Sequence, residues 1–326
     1  MSIDVLCLRP EADFKRVGAM PPESLQIAYR APSDDDLAAL MKEARVLVIP
    51  AVGPKLSNAL FENTSVKFVQ VTGAGLDRLD VELLRERGID VANVPGGSNE
   101  SVAEYAVTTA TVLLRGMFWA DTEIRKGNYR EFRARMIAEN LQGLDGLTIG
   151  IIGFGVTGVA VASAFQKRGC LIFYYDPAPR DPRTAEAVGA KACSLEDLFQ
   201  LADVVTLHVP LLPDTTGMIG RRELAMMKDG AILIQGSRGG VVDEAALAEA
   251  LQSGKLGGAA VDVYSTEPPA EDNPLLTLKG EAAHRILFTP HVAGVTRQSA
   301  AYLFRTAWRN VERAMGGKEA PLYVVS

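Results

Sequence analysis

Residues 147–158 read LTIGIIGFGVTG, a short β-branched run that ends in Gly153-Phe154-Gly155-Val156-Thr157-Gly158 and passes into the helical run VAVASAFQKRG. Strand, GxGxxG and helix in that order make up the dinucleotide-binding fingerprint. Its first glycine takes a tight turn, the second lets the backbone approach a pyrophosphate, and the third packs helix on strand. The helix N-terminus then offers free N–H groups and partial positive charge to the diphosphate. Such a hexapeptide alone is weak, because glycine turns also occur in α/β domains that bind no nucleotide. Asp176, ending the next strand LIFYYDP, adds weight. About twenty residues past the glycines, an acid accepts hydrogen bonds from the adenosine ribose and repels a 2′-phosphate. NAD is therefore expected over NADP, with Arg180 and Arg183 a few residues on rather than directly after the acid.

Outward from this stretch the alternation continues. LTIGIIG, CLIFYYD, DVVTLHVP, AILIQGS, GGAAVDVY and ILFTP read as buried parallel strands, most of them separated by helical segments. Upstream, β-branched runs at 3–8, 46–49 and 66–71 alternate with amphipathic stretches at 34–43 and 81–87 until Pro95-Gly96-Gly97 interrupts. The run SVAEYAVTTATVLLRGM has no proline, can be capped by Asn99 or Ser101, and is apolar on nearly every face, so it reads as a buried helix crossing between two domains. The polar DTEIRKGNYREFRARMIAENLQG resembles an excursion suited to a subunit interface, and the helical QSAAYLFRTAWRNVERAM returns to the first domain. A chain of 326 residues exceeds one domain of roughly 100–200 residues. The expected fold is α/β: two Rossmann-like, doubly wound parallel-sheet domains with a cleft between them. A substrate domain of flavodoxin-like type spans 1–98 plus 296–326, and the NAD-binding domain, 99–295, is inserted in it.

Composition narrows the function. Hydrophobic residues at 48% and charged residues at 23% exclude disordered and fibrous classes. A formal charge of -6 gives no attractive field for nucleic acid or anionic lipid, so an anionic substrate needs a local positive site. Cys7, Cys170 and Cys193 are odd in number and scattered, which suggests neither a disulfide framework nor a metal site. The start MSIDVLCLRPEADF carries Asp4 and Arg9 in a short apolar run unlike a signal peptide, and no window spans a membrane, so a cytoplasmic location is expected.

Three further segments each follow a predicted strand: GSRGGVVDEAAL around Arg238, AAVDVYSTEPP around Asp262 and Glu267, and FTPHVAGVT around His291. Their polar residues gather at the carboxyl edge of the sheet, where open α/β sheets bind ligands. Arginine can hold a carboxylate and a 2-oxo oxygen with paired donors, histidine can exchange the hydroxyl proton, and glutamate can orient the imidazole. Taken singly each has a plain structural reading: a core histidine, a turn acid before Pro268-Pro269, a surface arginine. Their co-occurrence weighs against it.

With these segments the sequence resembles the D-isomer-specific 2-hydroxyacid dehydrogenase family. The likeness runs over essentially the whole chain and includes, in order, VTGAGLDRLD, VPGGSNESVAEYAV, the glycine fingerprint, SRGGVVDE, DVYSTEPP and TPHVAG. It implies that Arg238 binds substrate, that Glu267 pairs with His291, and that His291 is the acid/base. Asp262 would hold the nicotinamide carboxamide, the backbone of Ala74 and Gly75 would grip the substrate carboxylate, and Asn99 to Glu104 would border the nicotinamide pocket. Cofactor contacts are likewise implied for Gly153, Gly155, Val156, Thr157, Gly158, Asp176, His208, Val209, Pro210, Thr215, Ser237, His291 and Gly294. His284, in a charged loop, has no assigned role.

The implied reaction moves a hydride between NAD(H) and C2 of a small D-2-hydroxy or 2-oxo acid. Phosphoglycerate dehydrogenases of the family use basic residues near two early strands, where this chain offers Lys55. With that single nearby cation a phosphorylated substrate is disfavoured; Arg78, or Arg133 and Arg135 from a partner subunit, are the candidate substitutes. Glyoxylate and hydroxypyruvate reductases place an aromatic in the excursion, here Tyr129 or Phe132, and small substrates of that kind are favoured. Glu267 stands where formate dehydrogenases have glutamine, and Gln235 where the family usually has asparagine. The alternative function is a non-catalytic NAD-sensing corepressor, against which the short tail after the last helix counts. A hydrolase of the adenosylhomocysteine type ranks lower still. A homodimer joined through the excursion is expected.

Overall fold

The computed structural model describes residues 3–139, 141–316 and 319–325. Five strands come first: Val5–Cys7 (β1), Ile27–Tyr29 (β2), Val46–Ile49 (β3), Phe68–Val71 (β4) and Asp90–Ala92 (β5). Then follow Thr148–Ile152 (β6), Leu171–Tyr175 (β7), Ala190–Ala192 (β8), Val204–Leu207 (β9), Ala231–Gln235 (β10), Leu256–Val261 (β11), Ile286–Phe288 (β12) and, near the end, Val324–Val325 (β13). They make two sheets ordered β13-β5-β4-β3-β1-β2 and β12-β11-β10-β9-β6-β7-β8, parallel throughout except for β13 on β5. The chain divides into two compact units, Met1–Ser98 with Val295–Ser326 and Asn99–Gly294.

In the second unit the apolar strands β9 and β10 are buried on both faces, as covered parallel strands require. Alternation with period two sends Val205, Leu207 and Leu233 into a core with Leu198, Phe199 and Leu247 on one face. Val204, Ile232 and Ile234 point the other way, towards Val161 and Phe165 of helix Val156–Gln166 and Ala106 and Ala110 of helix Asn99–Leu114. That helix is nearly sealed: between 101 and 114 only Glu104 and Thr108 are exposed, one turn apart. The chain leaves β6 in one direction for β7 and β8 and in the other for β9 to β12, so a crevice opens at the carboxyl ends of β6 and β9.

The excursion folds as two helices, Met117–Arg125 and Tyr129–Ala138. Phe132 is buried against Trp119 (ring centroids 5.2 Å apart), His284 stacks on Trp119 at 5.1 Å, and the Arg135 guanidinium lies 4.2 Å from the Trp119 ring. Met117, Phe118, Ile124, Tyr129 and Ile137 stay exposed on these helices.

In the first unit helix Arg297–Ala314 buries Phe304, Trp308 and Val311 with Phe14, whose ring centroid is 4.9 Å from that of Phe304. Among the described residues no helix is long and apolar enough to cross a membrane.

Phe165 is fully buried between helix and sheet. Phe165→Ala should lower folding stability by about 3–5 kcal/mol, read as an earlier urea midpoint with an unchanged slope.

Candidate active site

The glycine loop is built for close approach. Gly153 has φ 92°, a conformation L side chains avoid, and a Cβ on Gly158 would run into the Gly153 carbonyl, so helix Val156–Gln166 starts hard against the end of β6. A Cβ on Gly155 would meet nothing within 4 Å, and the helix has no side-chain cap there. Open space therefore lies in front of uncapped N–H groups, which fits a diphosphate. Thr157 donates its hydroxyl to Asn99 Oδ1 at 2.9 Å, tying this helix start to the start of helix Asn99–Leu114. Asp176 ends β7 with its oxygens accepting from Phe154 N (2.7 Å) and Ala178 N (2.9 Å) and pairing with Arg180 (2.6 Å), so the acid also braces the glycine loop. On the adjacent strand end, after β9, His208 N donates to the Ile152 carbonyl (2.7 Å), and His208 Nε2 lies 2.9 Å from the Thr206 hydroxyl. Burial pushes the His208 imidazole down to about 4, so it is neutral at physiological pH. Val209 is buried, Pro210 is exposed, and Thr215 Oγ1 closes the following turn on the Pro210 carbonyl at 2.6 Å.

Loops at the carboxyl ends of β10, β11 and β12 carry Arg238, Asp262, Glu267 and His291. His291 Nδ1 lies 2.8 and 3.1 Å from the two Glu267 oxygens. A carboxylate only accepts, so Nδ1 carries the proton and Nε2 is left for exchange with a ligand. Glu267 also accepts from Tyr264 N at 3.2 Å. Asp262 is buried, and its oxygens accept from Val292 N and Ala293 N, each at 2.8 Å, and from the Thr289 hydroxyl at 2.6 Å. His291 itself is left-handed, φ 56°, a conformation that costs an L residue about 1–2 kcal/mol. Gln235 spans the next loop: its Oε1 accepts from Ser237 Oγ (2.8 Å) and its Nε2 donates to the Arg238 carbonyl (2.9 Å). This glutamine thereby fastens the loop that carries Arg238, whose guanidinium donates to the Ser237 carbonyl at 2.8 Å. A Cβ on Gly239 would strike the Tyr264 carbonyl, so the Arg238 loop packs directly on the loop leading to Glu267. Gly294 closes this unit after the histidine loop.

In the first unit Ala74 and Gly75 follow β4 on a loop pinned by Asn93 Nδ2 to the Ala74 carbonyl (2.7 Å) and Val94 N to the Gly73 carbonyl (2.8 Å). Arg78 is buried, donating to the Pro54 (2.9 Å) and Pro50 (3.1 Å) carbonyls.

Residues 107–293 match the family described as D-isomer specific 2-hydroxyacid dehydrogenase, NAD binding domain, over more than half of the chain. The chain belongs to the D-isomer specific 2-hydroxyacid dehydrogenase family. Within it, the chain is similar to the D-3-phosphoglycerate dehydrogenase of Archaeoglobus fulgidus, 38% identical over 235 residues that cover 72% of this chain and 42% of that protein. The chain spans about half the length of the phosphoglycerate dehydrogenases it matches. It is similar over most of both lengths to the hydroxypyruvate reductase of Thermotoga maritima, 35% identical over 283 residues, 86% of this chain and 88% of that one. Among solved structures it resembles the D-lactate dehydrogenase of Aquifex aeolicus complexed with NAD and lactic acid, with TM-score 0.79 and 26% identity over 94% of each chain.

NAD is the cofactor of the matched 2-hydroxyacid dehydrogenase domain, and the glycine loop, the uncapped helix and Asp176 are the residues that would hold it. The sequence left two residues of this unit unassigned. Tyr105 places its hydroxyl 2.8 Å from that of Thr289, and Thr289 reaches Asp262. A tyrosine and a threonine 184 positions apart give no spacing signal; only the sheet edge brings them together.

The depressed His208 has a consequence for stability. An unfolded histidine titrates near ~6.5, so between there and about pH 4 the unfolded chain binds a proton that the folded chain refuses. Its contribution is whole above that window and is lost as pH falls through it. Urea titrations of the NAD-free protein at pH 7 and pH 5 should show a smaller loss of stability in His208→Gln than in wild type.

Proposed function

We propose that the chain is an NAD-dependent dehydrogenase that interconverts a small, unphosphorylated 2-oxo acid and its D-2-hydroxy acid, with glyoxylate or hydroxypyruvate as the oxo substrate. The observation that carries it is the His291–Glu267 pair, 2.8 Å apart on the sheet edge that also bears Arg238.

NAD, when bound, supplies or accepts the hydride at C2. In reduction the protonated His291 gives its Nε2 proton to the carbonyl oxygen, and Glu267 at Nδ1 holds the ring and compensates its positive charge. Arg238 offers guanidinium donors to the oxo oxygen and carboxylate. The resemblance assigns the carboxylate also to the backbone of Ala74 and Gly75, on the exposed side of the loop after β4. Asp262 is proposed to meet the carboxamide, and His208, Val209, Pro210, Thr215, Ser237 and Gly294 to line the dinucleotide.

Two of the basic residues considered for a phosphate, Arg78 and Arg135, are otherwise engaged. Arg78 is buried and donates from Nε and Nη1 to two proline carbonyls, and Arg135 is paired with Glu139 and Glu281 at 2.7 and 2.8 Å. Of the two aromatics considered for small-substrate recognition, Phe132 is inside the excursion and Tyr129 is displayed. The three free cysteines, with Cys7 pushed up to about 12 and Cys170 to about 11 by burial, are unreactive thiols that suit a reducing cytoplasm. The exposed apolar side chains of the excursion support a two-fold homodimer through that element.

Initial rates of NADH and NADPH oxidation against glyoxylate, hydroxypyruvate, pyruvate, phenylpyruvate and phosphohydroxypyruvate test the activity. Turnover should be fastest with NADH and one of the first two, and His291→Ala should reduce kcat on the order of 10²–10⁴-fold. NADH binding without turnover of any acid would overturn the proposal. Sedimentation should give twice the chain mass, and Ile137→Asp with Phe118→Asp should return it to one.

A further inference from the structure

The histidine turn is held from beneath by an oriented chain of hydrogen bonds. Three successive backbone N–H groups close on Asp262: His291 N on its carbonyl, Val292 N on Oδ1 and Ala293 N on Oδ2, each at 2.8 Å. Oδ1 also takes the Thr289 hydroxyl at 2.6 Å. Carboxylate oxygens only accept, so the single Thr289 proton is spent on Asp262, and the 2.8 Å contact with Tyr105 must have the tyrosine as donor. Burial pushes the Tyr105 phenol up, which keeps that proton in place. Tyr105 stands on helix Asn99–Leu114, which packs on β10 and β11, so the donor is anchored in the core and not on the loop it supports. Tyr264 braces the turn from a second direction, its hydroxyl donating to the Thr289 carbonyl at 3.0 Å.

We propose that Tyr105 is a positioning residue for the reaction: through Thr289 and Asp262 its hydroxyl fixes the left-handed turn that presents the His291 imidazole to Glu267 and to substrate. A non-glycine residue at φ 56° relaxes unless its neighbours hold it, and here every N–H from 291 to 293 is held by Asp262. With Oδ1 already accepting two donors and Oδ2 one, a single lone pair on Oδ2 remains for a cofactor amide. Asp262 therefore places the acid/base first and meets the cofactor second. This inference rests on the proposed acid/base role of His291.

The test uses the full-length NAD-free protein labelled with 15N, in which His208, His284 and His291 are the three histidines. In wild type the His291 Nδ1–H and the Val292 and Ala293 amides should exchange slowly with water. Tyr105→Phe and Thr289→Val should each speed that exchange by about tenfold or more. Both should lower kcat about tenfold, by loosening the imidazole, with KM within about twofold. Thr289→Ser, which keeps the hydroxyl, should restore both readouts, as a purely apolar packing role would not. Unchanged exchange at 291–293 in Tyr105→Phe and Thr289→Val overturns the inference whatever the activity. Wild-type turnover in His291→Ala would instead overturn the acid/base role, while the exchange of the 292 and 293 amides would still report on the turn by itself.

Discussion

Parallel pairing of β10, β11 and β12 fixes where the polar loops can stand. The register sets Gln235 beside Val261 and Val261 beside Phe288, and the ladder runs on past the strand ends. Asp262 N donates to the Gln235 carbonyl (2.9 Å) and Thr289 N to that of Val261 (3.0 Å). Each such bond contributes only about 0.5–1.5 kcal/mol net, but leaving a buried N–H unpaired costs about 1–3, so the loops inherit the geometry of the sheet. A one-residue slip of β12 would carry Thr289 away from Asp262 and turn His291 from Glu267.

The same edge reconciles an acidic chain with an anionic ligand. Its carboxylates are engaged by local donors: Asp176 by two backbone N–H groups and Arg180, Asp262 by two N–H groups and a hydroxyl, Glu267 by His291 and an N–H. The same edge carries positive groups: the uncapped helix start at Gly155, and the guanidinium of Arg238 on its fastened loop. A net charge of -6 thus says little about the field at the site.

Much of this was legible in sequence, for identifiable reasons. The fingerprint glycines could be read because sterics leave no alternative at Gly153 and Gly158, and the central strands because both faces are buried. The short strands β2 and β8 were not legible. IAY and AKA are three-residue strands at sheet edges, half covered or exposed. The amphipathic stretch 34–43 is helical only over Leu37–Leu40, since Asp34 closes a turn on Ala31 N and Asp36 pairs with Arg30. Arg78 was read as a candidate phosphate ligand, yet its fate depends on two proline carbonyls that only folding brings within reach. Tyr105 and Thr289 escaped for the same reason, and Gln235, recognised only as an oddity, turns out to span the arginine loop.

The most direct measurement is isotopic. NADH carrying deuterium at C4, incubated with glyoxylate or hydroxypyruvate and the protein, should yield a hydroxy acid with one deuterium on C2 by proton NMR, and His291→Ala should slow that transfer sharply. A hydroxy acid without deuterium at C2, or bound NADH that is never consumed, would contradict hydride transfer at this site.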